Sequence, residues 1–286
     1  MLRSMYSGIT GLKNHQIKMD VVGNNIANVN TIGFKSSRVT FQDIYSQTVR
    51  PAAAPNAGAG TGGTNPLQIG LGMTLGSIDV LHTNSATEYT GSSLDLSLDG
   101  DGFFVVNNGD QNLFTRAGNF YMDRDNNLVT ASGMYVLGWS RPEPTDPPTP
   151  VVVPDSPPDP MQTIQFSPDY YDISISKNGE VIGINETTQE KEIIAKIALA
   201  TFSNQSALQK MGESVYAQNL NSGAPQYVFP GSSGAALVNP SSLEMSNVDL
   251  AKEFTDMIVT QRGFQANSRV ITTSDQLLEE LVNLKR

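Results

Sequence analysis

Residues 247–284 contain no proline and a single glycine, Gly263. Stepping through them at alternating intervals of four and three from Leu250 meets Leu250, Phe254, Met257, Gln261, Phe264, Ser268, Ile271, Asp275, Leu278 and Val282. Seven of these ten are apolar, which is the repeat of a heptad seam rather than of an ordinary globular helix. Leu277, Leu281 and Leu284 widen the apolar face near its end. Ser246, three residues before Asp249 and just ahead of the apolar run, is a helix-start signal of the capping-box type. One continuous helix over this stretch would be about 55 Å long at 1.5 Å per residue. A helix of that length needs a partner along its side.

The first thirty residues offer that partner. Intervals of three and four from Leu2 give Leu2, Met5, Ile9, Leu12, Gln16, Met19, Gly23 and Ile26, six of eight apolar. Gly8, Gly11, Gly23 and the asparagines at 14, 24, 25 and 28 make this a poorer helix former, since each interior glycine costs about 1 kcal/mol relative to alanine. The segment is therefore expected to be helical when packed. Two apolar stripes at opposite ends predict that the termini come together as one coiled-coil-like element with β structure strung between them.

The remaining patterning is that of strands. From residue 67 onward short apolar or alternating runs (78–81, 94–98, 103–106, 128–130) are separated by Asp-Gly, Asn-Gly and Asn-Asn turns, and the pattern resumes at 164, 173–175, 181–184 and 193–202. The expected class is α+β. Terminal helices occupy 1–30 and 247–286, connecting regions 31–70 and 221–246, and a β-rich domain 71–220. Residues 51–66 (PAAAPNAGAGTGGTNP) are too poor in apolar bulk to be core and read as linker. Their Gly58, Gly60 and Gly63 match a dinucleotide-binding fingerprint formally, but no strand precedes them and Thr-Asn-Pro follows where a helix should open. Residues 141–160 hold nine of the sixteen prolines and read as an exposed insertion in the β region.

Composition excludes several functions. The net charge of −10 argues against a nucleic-acid binder, although residues 1–50 carry six basic side chains against two acidic ones. There is no cysteine for disulfides, thiol catalysis or metal ligation. No apolar run approaches the length of a membrane-spanning helix, and the N-terminus lacks the apolar core and cleavage site of a secretory signal. The two histidines, His15 and His82, fall in different predicted elements, and no nucleophile–base pattern accompanies them. Asp123, Asp125 and Asn127 open like a calcium loop. Leu128 and Met134 occupy the positions that need glycine and a bidentate glutamate, so the cluster reads as a hairpin turn. No enzymatic activity, cofactor or metal is expected.

Three sets of strings carry a resemblance. Val22-Gly23-Asn24-Asn25-Ile26-Ala27-Asn28-Val29-Asn30-Thr31-Ile32-Gly33-Phe34-Lys35 resembles the N-terminal signature of the bacterial flagellar rod and hook axial protein family. LDLSLDGDGFF at 94–104 and FTRAGNF at 114–120 resemble its β-domain strings. Asn247, Val248, Gln261, Arg262 and Asn267 fall in strings similar to its C-terminal signature. Within the family, Val-Thr-Phe-Gln-Asp at 39–43 and Gln-Arg-Gly-Phe-Gln at 261–265 are similar to short hook proteins, with distal rod proteins as the alternative. The proline-rich 141–160 departs from the family pattern.

The resemblance implies a non-enzymatic, extracellular subunit, exported by the flagellar apparatus without a cleaved leader, that stacks into a hollow flexible tube transmitting torque. Its implied partners are further copies of itself, the rod and hook-associated junction proteins, a hook cap and the export apparatus, with no membrane insertion. Subunit contacts are expected at Met5, Ile9, Leu12, Met19 and Ile26 and at Leu250, Phe254, Met257, Phe264, Ile271, Leu278 and Val282. The family motif adds Asn24, Asn25, Ala27, Asn28, Gly33 and Phe34 at the N-terminal end.

Overall fold

The chain begins and ends in helices, α1 over Leu2–Ala27 and α2 over Leu250–Asn283. A computed structural model describes residues 2–55, 62–140, 161–167, 170–186, 189–232 and 234–284. The proline-rich 141–160 and the Gly58 and Gly60 positions of the formal glycine fingerprint lie outside these residues. The chain divides into two units, one of residues 1–27, 37–80 and 248–286 and the other of residues 28–36 and 81–247.

The helical unit also holds four strands: β1 (Ser37–Asp43), β2 (Gln47–Arg50), β3 (Leu67–Ile69) and β4 (Met73–Val80). β1 pairs antiparallel with β4 from Ser37↔Val80 to Asp43↔Met73, and β2 pairs with β3. The asparagine Asn14 of α1 donates from Nδ2 to the carbonyl of Met73 at 2.7 Å, fixing this ribbon to the helix. α2 starts where a carboxylate replaces the expected hydroxyl. Asp249 is its N-cap, accepting from the amides of Ala251 and Lys252, while Ser246 lies outside the helix.

In the β unit the strands are β5 (Thr87–Tyr89), β6 (Leu96–Asp99), β7 (Phe103–Asn107), β8 (Asn112–Thr115), β9 (Phe120–Met122), β10 (Leu128–Thr130) and β11 (Tyr135–Ser140). They continue with β12 (Gln162–Thr163), β13 (Tyr170–Ile175), β14 (Glu180–Asn185), β15 (Lys191–Ile197), β16 (Leu199–Thr201), β17 (Gln209–Gly212) and β18 (Val215–Ala217). Residues 221–246, expected as a connecting region, supply β19 (Gln226–Val228), β20 (Leu237–Pro240) and β21 (Ser242–Glu244) and bury Phe229, Ala236 and Val238. The longest sheet path among the described residues runs β13-β14-β15-β11-β7-β8-β18-β17.

The sheet is buried on both faces at its centre, and the run Phe103-Phe104-Val105-Val106 explains how. Alternate residues of a strand point to opposite faces. Phe104 and Val106 join a cluster with Leu96, Leu128, Ile164 and Ile197, while Phe103 and Val105 join Phe114, Trp139, Phe202 and Tyr216 on the other side. Edge-to-face ring pairs reinforce the second cluster, including Phe114–Phe202 at 4.7 Å and Trp139–Phe229 at 4.5 Å. The residues of the calcium-loop-like cluster make the turn between β9 and β10, closed by Asp123 N to Asn127 O at 3.0 Å, with Asn126 left-handed.

Candidate functional site

The helix pair is antiparallel, and its contact is made by small and polar side chains. Ser4 meets Ser274 at 3.5 Å, and Lys18 pairs with Asp256 at 2.9 Å. A Cβ on Gly8 would lie 3.2 Å from Ile271 Cγ1, one on Gly11 2.5 Å from the Asn267 side chain, and one on Gly263 2.8 Å from the His15 ring. The glycines that weaken α1 as an isolated helix are what let α2 approach it. On α1 the buried positions Gly8, Gly11, Asn14, Val22 and Asn25 make one stripe, and on α2 Thr260 and Ser274 are buried.

Asn25 shows why an asparagine-rich helix end suits this unit. Its Oδ1 accepts from Ser37 N at 3.0 Å, and its Nδ2 donates to Ser37 O at 2.9 Å and to Glu253 Oε1 at 3.2 Å. One buried amide thus ties α1 to the start of β1 and the first turn of α2. Burial raises the Glu253 carboxyl above its usual range against the opposing effect of the Asn25 bond.

The heptad positions divide. Met5, Leu12, Met19, Ile26, Met257, Ile271 and Leu278 are half-buried, whereas Ile9, Leu250, Phe254, Phe264 and Val282 are exposed. At 3.6 residues per turn the exposed apolar side chains of α2 form two stripes on either side of the face turned to α1. Leu250, Phe254, Ile258, Phe264 and Val282 make one, and Val259, Val270, Leu277, Leu281 and Leu284 the other. Large exposed apolar residues gathered on one side of a helix mark interaction surfaces. Among the signature residues of α2, Asn267 lies against α1, while Gln261 and Arg262 are exposed, with Arg262 donating to Gln265 at 3.2 Å.

Asn24, Ala27 and Val248 belong to the helical unit, whereas Gly33, Phe34 and Asn247 meet inside the β unit. Gly33 adopts φ +66°, and a Cβ there would come 2.6 Å from the Ala117 amide, so glycine alone fits. The tight turn delivers Lys35, fully buried, to a 2.6 Å ion pair with Glu244 Oε1 and a 2.7 Å bond to Thr83 O. Arg116, from the FTRAGNF string, reaches Glu244 Oε2 at 3.5 Å and lies 5.3 Å over the Phe103 ring. Asn247 accepts from Ser36 N at 2.7 Å and donates to Leu81 O and Thr83 Oγ1. Lys210 donates to Lys35 O at 3.0 Å and stacks 4.2 Å over Phe34.

Two fully buried cations thus share one carboxylate. Burial lowers the Lys35 ammonium below its usual range despite Glu244 beside it. His82 packs edge-on to Phe103 at 5.4 Å and to Tyr216 at 5.2 Å. Burial, then Arg116, Lys35 and Lys210, push its imidazole down to about 4. Sequence reasoning located the strings but not Lys35, Arg116 and Glu244 as one ionic cluster. The signal was a lysine and an arginine set in runs of otherwise small and apolar residues. Among the described residues no group of three or more His, Asp and Glu is placed to hold a metal ion, and no helix is long and apolar enough to cross a membrane.

Family models match at both ends and in the middle. Residues 5–35 match the flagella basal body rod protein model, 97–183 the flagellar hook protein FlgE/F/G D1 domain, and 239–284 the flagellar basal body rod FlgEFG protein C-terminal model. The flagellar basal-body rod protein FlgG of Bacillus subtilis is 48% identical over 287 residues, covering 100% of both chains. FlgG of Buchnera aphidicola (Schizaphis graminum) is 35% identical over 286 residues, covering 99% of this chain and all of its own. The flagellar hook protein FlgE of Borreliella burgdorferi is 31% identical over an alignment of 443 residues covering both chains fully. On this likeness along its whole length, the chain belongs to the flagellar basal-body rod and hook protein family, structural components of the flagellum rather than enzymes.

Proposed function

We propose that the chain is a polymer-forming subunit of the flagellar rod. The observation that carries polymerisation is the pair of exposed apolar stripes on α2, one on each side of the face already occupied by α1. A subunit with two such stripes has a surface for each of two neighbours, and head-to-tail use of unlike surfaces builds helical assemblies. Copies of the chain are the partners that fit, and the helices of adjacent copies would complete the coiled-coil-like element expected from the heptad repeat. The rod's junction partners and a position outside the cytoplasmic membrane belong to the same reading.

The rod assignment, in place of the hook suggested by the strings at 39–43 and 261–265, is supported by length. The FlgG relatives align over 277 to 287 residues with little insertion, whereas the hook relatives align over 443 and 466 and so carry long segments this chain lacks. The test of polymerisation is a charge in each stripe. Phe254→Asp and Leu281→Asp are both at exposed positions, so the folded monomer should keep its melting temperature within about 1 °C, while the buried carboxylate removes the polymer seen by electron microscopy. Normal tubes from both variants would overturn the reading.

A further inference from the structure

One face of the main sheet carries a row of side chains that neither core cluster uses. Residues directly opposite each other on paired strands share a face. The register places Tyr121 opposite Val129, Val129 opposite Tyr135, Tyr135 opposite Asn107 and Asn107 opposite Asn112. Five residues on β9, β10, β11, β7 and β8 therefore stand in one line across the strands. Tyr121 is 54% and Tyr135 38% exposed, with Val129 between them half-covered. Asn107 Nδ2 donates to Asn112 Oδ1 at 2.8 Å, and Asn112 Nδ2 reaches the Tyr227 hydroxyl at 3.4 Å. Beyond Asn112 the row opens into a recess of about 280 Å³ lined by Gln111, Asn112, Ala217, Gln218 and Tyr227.

We infer that this row is a docking track for an extended β-linked glycan chain. None of the five row residues and none of the recess residues is ionisable at neutral pH, which disfavours a nucleic acid, an acidic peptide or a charged headgroup. What the row does present is two exposed phenol rings followed by primary amides. Tyrosine rings offer flat apolar surface to the C–H face of a sugar while keeping a hydroxyl for its polar edge. Primary amides donate and accept together, matching hydroxyl and acetamido groups that do the same. Spacing selects an extended chain. Strands lie about 4.8 Å apart, so Tyr121 and Tyr135, two strands apart, are separated by about 9–10 Å. In a β-1,4-linked chain every second ring presents the same face, and that two-residue repeat is close to the separation of the tyrosines. A compact or α-linked sugar has no such repeat. The inference is independent of the rod assignment and of polymerisation, because every residue in it belongs to the β unit.

The test uses the purified full chain with the hexamer of β-1,4-linked N-acetylglucosamine as probe and maltohexaose as the α-linked control. Binding is read from tyrosine fluorescence and from chemical-shift changes of the Asn112 and Gln218 side-chain amides. The expected result is saturable binding of the β-linked hexamer alone, weakened at least about tenfold by Tyr121→Ala and by Tyr135→Ala. Tyr121→Phe, which keeps the ring, should bind within about threefold of the parent chain and guards against an alanine variant that fails to fold. No binding of the hexamer, equal binding of maltohexaose, or unchanged binding by both alanine variants would each overturn the inference. So would self-association of the β unit that disappears in those variants, since the row would then be a contact between copies.

Discussion

At the scale of single residues the β unit stores a pH dependence in His82. Both of its ring nitrogens are buried without a hydrogen-bond partner among the described residues, and the charges acting on it are the cations Arg116, Lys35 and Lys210, the first two of which pair with Glu244. Burial, then the neighbouring cations, disfavour the charged imidazole, so its folded value falls to about 4 from an ordinary 6.5. The folded state then binds fewer protons than the unfolded chain between those values. Stability is at its full value above pH 6.5 and falls as pH drops towards 4, by an amount bounded at about 3 kcal/mol. His82→Phe keeps an aromatic ring between Phe103 and Tyr216 and removes the titration. Chemical denaturation of the two chains should give parallel stabilities above pH 7 and a difference that widens in favour of the phenylalanine variant down to pH 4. Identical pH slopes would show that the imidazole finds an acceptor.

At the scale of elements, Lys35, Arg116 and Glu244 join three segments distant in sequence: the turn after α1, the loop after β8 and the last strand before α2. Removing the shared carboxylate leaves two buried cations unpaired, which costs far more than the net worth of the pairs. Glu244→Gln should destabilise the β unit by about 3–5 kcal/mol, while Lys35→Met with Glu244→Met should recover part of that loss. Equal stabilities of parent and Glu244→Gln by urea denaturation would mean that water or another anion reaches the site. This cluster was hidden in the sequence for a physical reason. Lysine, arginine and glutamate lie at the surface in most proteins, and nothing local at Lys35 points to a partner 209 residues away. The helices and four of the eight strands between 73 and 140 (β4, β6, β7 and β10) were legible, because heptad spacing and Asp-Gly or Asn-Asn turns act within a few residues. The face joining α1 to α2 was not. Apolar periodicity marks what is to be buried somewhere, and it cannot separate burial inside the chain from burial against another chain. Gly8, Gly11 and Asn25 read as helix weaknesses until the second helix lies on them.

At the scale of the whole molecule the question is whether a tube of these subunits bends. Bending requires that contacts between outer regions of neighbouring subunits have several arrangements of nearly equal energy. The hook relatives align over lengths well beyond the 286 residues of this chain, whereas the FlgG relatives keep its length. A subunit without that additional material offers its neighbours less surface to slide past. It also has a sheet locked by two apolar clusters and a buried ionic group. Tubes assembled from the purified chain should therefore be straight, and should stay straight as salt is raised and temperature varied. Salt is the sharper variable, since screening weakens polar surface contacts while leaving the apolar helix stripes intact or strengthened. Polymorphic tubes whose curvature shifts with salt would return the chain to the hook. Straight tubes that shorten without bending would place the salt-sensitive contacts along the axis, where a rod bears its load.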